Sequence, residues 1–295
     1  MKANDLFENV TNDLVAAIES GAKDWKMPWH RLGTVGLPHS VDGRPYRGWN
    51  ALVLSMVAAD RGWSSTWATY RGWQRHDCQV RKGERGTQVV LWKPIENKTD
   101  GDDANVKRSM FARAFTVFAA DQVDGGDRFA PSPDERPATE RISEAERYFE
   151  RVSAEVVTGG DQACYVPSLD QIRLPHVDQF DQAEHYYSTA AHEHAHWTGH
   201  ASRLDRDLSG RFGDHAYGAE ELVAELSAAF WCAQFGLEQA TSRDHAAYLG
   251  DWLAILKSDT RALVTACSKA QHAVDFLNQQ AGWTATATSA DDQVA

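Results

Sequence analysis

AAHEHAHWTGH, residues 190–200, puts three histidines within five positions, His192, His194 and His196. The small and apolar run before it, YYSTAA (186–191), predicts a buried helix over 182–197. Residues four apart on a helix share a face, so His192 and His196 lie together, with Glu193 one step round the same turn. His194 falls about 200° round from His192 and cannot join them. H-E-x-x-H on a helix is an arrangement in which two imidazoles hold zinc and the glutamate reaches a water on the metal.

Such a site needs a third protein ligand. The extension H-E-x-x-H-x-x-G-x-x-H fails here: Gly199 is in place, but the last position is Ser202 and His200 comes two residues early. A carboxylate from a following helix is the other source. GAEELVAELSAAF (218–230) offers Glu220, Glu221 and Glu225, with Glu221 and Glu225 on one face beside Leu222, Val223, Leu226 and Phe230. Carboxylates beside an apolar stripe are costly to bury without a cation. Glu221 is therefore read as the ligand, Glu225 as the group that orients a ligand histidine, and Glu220 as the alternative ligand. Zinc is the expected ion, with manganese or another divalent metal as alternatives. Zinc would acidify its water and polarise a carbonyl, with Glu193 as general base. Gly199 is expected in a left-handed conformation that ends the helix. His200, Arg203, His215 and Tyr217 are candidates for stabilising an oxyanion. The hairpin CYVPSLDQIRLP (164–175) is a candidate edge strand for an extended substrate.

Around this motif the chain reads as α+β. Helices are expected over 4–21, 50–61, from Ser143 (capped with Glu146 three residues on), 219–235 and 243–279. Strands are expected within 63–70, 87–92 and 111–118. The loop 99–107 is acidic, and 126–142 is rich in Pro, Gly and charge, which predicts a linker. The expected organisation is 1–125, linker 126–142, a second domain over 143–280 and a disordered tail over 281–295. No long apolar run predicts a membrane span, and the acid-bearing N-terminus does not read as a signal peptide. Four widely spaced cysteines, with no C-x-x-C, read as reduced thiols, so a cytoplasmic protein is expected.

The formal net charge is -12, yet residues 42–98 carry ten basic residues against five acidic ones, about +5. Tryptophans interleave with these cations, at Trp49, Trp67, Trp73 and Trp92. Aromatic rings accept unpaired bases and Lys and Arg track phosphates, a combination suited to single-stranded DNA.

The N-terminal pattern of PWH (28–30), YRGWNAL (46–52), W-x-T (67–69), VRKGERGTQVV (80–90) and FTVFAADQVDG (115–125) resembles the N-terminal domain of ArdC-type antirestriction proteins. YVPSLDQIRLP (165–175), AAHEHAHWTGHASRLDR (190–206) and YGAEELVAELSAAF (217–230) resemble their zincin-like metallopeptidase domain. The resemblance covers about residues 4–280. It implies two α+β domains, a single-stranded-DNA-binding domain followed by a zincin-like, gluzincin-type domain. It also implies a plasmid- or phage-borne protein that protects incoming DNA from restriction and acts on an unknown protein substrate. Through it the expected DNA contacts are Arg47, Trp49, Asn50, Trp67, Arg81, Lys82 and Arg85.

Overall fold

A computed structural model describes residues 3–19, 28–96, 108–129, 138–208, 215–239 and 245–283. The chain opens with α1 (Ala3–Glu19), a 3-10 turn (Pro28–Arg31), α2 (Leu32–Val35), β1 (His39–Ser40) and α3 (Gly48–Arg61). Gly62 stops α3 with φ 65°, its N–H returning to the carbonyl of Ala58. β2 (Thr66–Thr69) runs directly into α4 (Tyr70–Arg75), where the Thr69 hydroxyl accepts from the N–H of Gly72. β3 (Gln79–Val80), β4 (Thr87–Glu96), β5 (Arg108–Ala119) and β6 (Val123–Asp124) follow. One sheet has the order β1-β2-β5-β4, with β4 and β5 antiparallel from Thr87↔Val117 to Glu96↔Arg108; β3 pairs with β6.

The second half holds α5 (Ala138–Arg151), β7 (Glu155–Thr158), β8 (Cys164–Val166), β9 (Gln171–Leu174), α6 (Ala183–Thr198), α7 (His215–Phe235), α8 (His245–Ser258) and α9 (Ala262–Ala281). Its sheet has the order β7-β9-β8, so β8 is an edge strand, antiparallel to β9. From Glu220 to Ala233 every α7 residue is buried, which makes α7 an interior helix that packs against α2, α6, α8 and α9.

The architecture is α+β, as the sequence predicts, but the two halves share one core. Phe7, Trp29, Leu32, Trp49 and Leu52 belong to the same buried cluster as Tyr148, Leu226, Phe230, Trp252 and Leu277. Fully burying one such aromatic or leucine contributes roughly 1.5–3 kcal/mol. The seam is also polar. The Gly48 N–H donates to Gln271 Oε1 at 2.9 Å, the Thr11 hydroxyl to the Thr260 carbonyl at 3.1 Å, and Arg47 pairs with Asp275. At Gly33 the halves meet so closely that a Cβ would stand 1.7 Å from the Leu237 carbonyl oxygen.

Some local expectations are corrected. α5 starts at Ala138, so Ser143 is a helix-interior residue and not a cap. The helix expected over 243–279 is two helices, broken where Asp259 Oδ1 accepts from the Arg261 N–H in a local turn. Gly199 is right-handed, at φ -74° and ψ -13°. Crowding favours glycine there: a Cβ would meet Arg206 Nη2 at 2.9 Å and Leu208 Cδ2 at 3.0 Å. Residues 130–137 of the expected linker, the loop 99–107 and the tail from 284 lie outside the described residues.

Candidate metal centre

α6 and α7 pack face to face and bring together His192, His196 and Glu221. The two Nε2 atoms stand 3.1 Å apart. His192 Nε2 is 3.4 Å from one Glu221 carboxylate oxygen, and His196 Nε2 is 3.4 Å from the other. Donors about 2.0–2.2 Å from a tetrahedral ion stand roughly 3.4 Å from one another, so the three side chains are spaced as ligands. His194 points elsewhere, with Nδ1 2.7 Å from the Ala190 carbonyl and its ring against Phe149. Burial pushes its pKa down to about 4, so it is a neutral core residue.

Each candidate ligand histidine has a carboxylate behind it. Glu225 Oε2 is 3.6 Å from His192 Nδ1, an ion-pair distance, and Glu220 Oε1 is 3.3 Å from His196 Nδ1. Such partners fix ring orientation and raise basicity. Glu220, the alternative ligand of the sequence reading, is thus placed behind a histidine. Arg206 fixes it, with Nη2 2.7 Å from Oε1 and Nε 2.9 Å from Oε2, while also donating to the Ala195 carbonyl. The outer oxygen of Glu225 is held by His30, whose Nε2 stands 2.5 Å from Oε1. Sequence reasoning assigned no role to Arg206 or His30; PWH offered a motif without a chemical signal.

The electrostatics ask for a cation. Burial disfavours a charged His192, yet its bonds to Glu221 and Glu225 outweigh this and hold it well above the usual histidine range. His196, equally buried, is held up at about 9, mainly by the Glu221 charge. Despite the opposing effect of burial, the imidazoles hold Glu221 far below the ordinary carboxylate range and Glu225 at about 2. A divalent ion satisfies the same demand for positive charge.

Glu193 behaves differently. Burial raises its carboxyl above the ordinary value, against the pull of His192 and His196, and the backbone of Tyr165 hydrogen-bonds to it. The edge strand β8 therefore lies beside Glu193. Its turn is fastened by Arg203, which donates from Nη1 to Asp170 Oδ2 at 2.9 Å and from Nε to the Trp197 carbonyl at 2.6 Å. Arg203 also covers the Trp197 ring at 4.0 Å. Of the other oxyanion candidates, His200 contacts Ser202 and His215 contacts Ser258.

The expected DNA contacts separate into two groups. Trp67 is fully buried and Trp49 is 4% exposed, edge-on to Phe7, so their rings face the core and present no surface to a base. Asn50 bonds the backbone of Val90, accepting from its N–H at 2.9 Å and donating to its carbonyl at 2.8 Å. Arg47 is exposed but engaged by Asp275, and Arg81 binds Glu84 and the Asp121 carbonyl. Lys82 and Arg85 are exposed, as are Arg71 and Arg75 of α4. Among the described residues of this half the most exposed aromatic is Tyr70, at 43%.

Residues 4–118 match the N-terminal domain of anti-restriction factor ArdC, and residues 143–269 match a zincin-like metallopeptidase family. Over 285 residues the chain is 43% identical to uncharacterized protein y4eC of Sinorhizobium fredii, covering 94% of this chain and 92% of that protein. It is 34% identical over 294 residues to a DNA primase TraC of Escherichia coli, spanning 92% of this chain but 27% of the primase. The metal-free crystal structure of antirestriction protein ArdC from plasmid R388 is similar at TM-score 0.78 and 35% identity, covering 95% of this chain and 100% of that one. The Mn(II)-bound form gives 0.76 at 36% identity, with 94% and 98% covered.

Proposed function

The chain belongs to the family of ArdC antirestriction proteins, and from that premise we propose that it is a zinc- or manganese-dependent peptidase that also binds single-stranded DNA. His192, His196 and Glu221 are the residues that would hold the ion, with Glu225 and Glu220 fixing the two imidazoles. Once bound, the ion would supply Lewis-acid chemistry, acidifying water and polarising a peptide carbonyl. Glu193 accepts a proton from that water on its carboxylate and delivers it to the leaving amine; burial raises its proton affinity above that of an ordinary carboxylate, the direction this exchange requires. The outer edge of β8, which has no strand neighbour among the described residues, can pair with a peptide in extended form. We assign DNA binding to residues 1–125 and peptidase chemistry to 143–280.

The observation that carries the peptidase reading is Glu193, a buried carboxylate beside three spaced donors and outside the donor set. A purely structural ion has no use for it. Glu193→Gln keeps the shape and removes the proton acceptor. The expected result is unchanged metal affinity with hydrolysis of a mixed peptide pool reduced by at least about 100-fold. If protection from restriction survives this change, protection comes from occupying DNA and not from cleavage.

The DNA surface supported by the exposed side chains is α4 with the β3–β4 turn, which carry Tyr70 and the exposed cations Arg71, Arg75, Lys82 and Arg85. Gln79 Nε2 donates to the Tyr70 hydroxyl at 2.8 Å, which ties the ring to this corner. Stacking on one such ring is worth roughly 1–3 kcal/mol per base.

A further inference from the structure

We propose that His30, from the N-terminal half, is a positioning residue of the metal centre, so that ion binding and the docking of the two halves are linked. The inference rests on reading His192, His196 and Glu221 as the ligands. His30 and Glu225 are 195 positions apart in sequence, yet their side chains are 3% and 4% exposed and face each other at 2.5 Å. Glu225 has two oxygens and each faces an imidazole: Oε1 takes His30 and Oε2 takes His192. The carboxylate is thus held between the two halves of the chain. Without His30 it keeps one partner and can turn away from the orientation that fixes the His192 ring.

The turn that carries His30 cannot shift on its own. Trp29 and Leu32 on either side are fully buried in the shared core. Three residues on, Gly33 abuts the Leu237 carbonyl with no room for a methyl group. α2 is therefore seated on the end of α7, the helix that supplies Glu221 and Glu225. Linkage is reciprocal: whatever the docked His30 adds to ion affinity, the bound ion adds to docking. The ion therefore acts as a rivet between the DNA-binding and peptidase halves.

The test uses the full chain and measures Zn2+ and Mn2+ affinity by competition with a chelator, together with the melting temperature of the metal-free protein. Loss of a partner that bonds a ligand directly typically costs 10–100-fold in affinity; His30→Phe leaves Glu225 in place behind His192, so it is expected to weaken binding by about 10-fold, the low end of that range. His30→Gln keeps an N–H donor and is expected to stay within about threefold of the unmodified chain. Gly33→Ala, which touches no ligand, is expected to weaken binding in the same direction. In the unmodified chain, metal saturation is expected to slow amide exchange at residues 28–36. A merely structural His30 would lower the melting temperature and leave ion affinity unchanged, and that result overturns the proposal. So does an exchange rate at 28–36 that is indifferent to metal, which decides alone if the variants do not fold. If the folded, unmodified chain binds neither ion, the ligand reading itself falls, and this proposal with it.

Discussion

Asn50 lies in YRGWNAL, where the sequence reading makes it a DNA contact, and the structure gives it a different task. β4 is an edge strand among the described residues, so the Val90 N–H and C=O directed away from β5 have no strand partner there. The Asn50 carboxamide supplies both missing bonds, at 2.9 and 2.8 Å, and pins α3 to the sheet. Asn50→Leu keeps the size of the side chain and removes both bonds. Two net hydrogen bonds of about 1 kcal/mol each, together with the cost of leaving the Val90 groups unpaired, give a destabilisation of about 3 kcal/mol. With a denaturant slope of about 3 kcal/mol per molar urea, the unfolding midpoint falls by about 1 M with the slope unchanged. Fluorescence anisotropy of a labelled oligonucleotide, measured under conditions where the variant is folded, should show unchanged affinity and an unchanged salt slope. A variant with the original midpoint but weakened oligonucleotide binding would refute the assignment and restore Asn50 to the DNA surface.

The other expectations concern both halves. Tyr70→Ala should weaken single-strand binding by roughly 1–3 kcal/mol, while Trp67→Phe should change stability but not affinity; the reverse pattern in the same anisotropy assay would place the base-stacking surface elsewhere. Arg206→Met leaves Glu220 buried without its bidentate partner, so a loss of about 3–5 kcal/mol is expected in urea unfolding, with a lowered affinity for the ion through His196. Hydrogen bonds from Arg203 hold the Asp170 carboxyl below its ordinary value. The folded chain then binds that proton less readily than the unfolded one, so the contribution is fully present above roughly pH 4 and is lost as pH falls through the folded value. The Asp170 side chain is 42% exposed, so the contribution is screened to at most about 1 kcal/mol. Acid unfolding of Asp170→Asn should therefore differ from that of the unmodified chain above pH 4 and converge with it below.

The parts of the site that lie within one helical turn were legible in the sequence. The 3.6-residue repeat alone puts His192 with His196, excludes His194, and puts Glu221 on a face with Glu225. That repeat is a property of the backbone and holds whatever packs around it. Zinc chemistry then requires a third donor, and the nearest following helix with carboxylates beside an apolar stripe supplied the candidate that the structure places within reach. Free thiols and the α+β character follow in the same way from composition and periodicity.

Whatever depends on elements far apart in sequence was decided by tertiary packing. Trp49 and Trp67 carry the same side chain as a stacking platform would, but only the seating of α3 and β2 determines whether a ring meets water or core. Glu220 and Glu221 are neighbours with identical chemistry; the approach of Arg206 from the loop after α6 turns one into a histidine's partner and leaves the other facing both Nε2 atoms. His30 had no readable role until the first helices settled on α7 and brought it to Glu225. Local geometry fixes which residues of one helix share a face, so sequence determined the pairing of the two candidate ligand histidines. Contacts between helices depend on how whole apolar surfaces fit together, so only the folded chain decided what stands behind each candidate ligand.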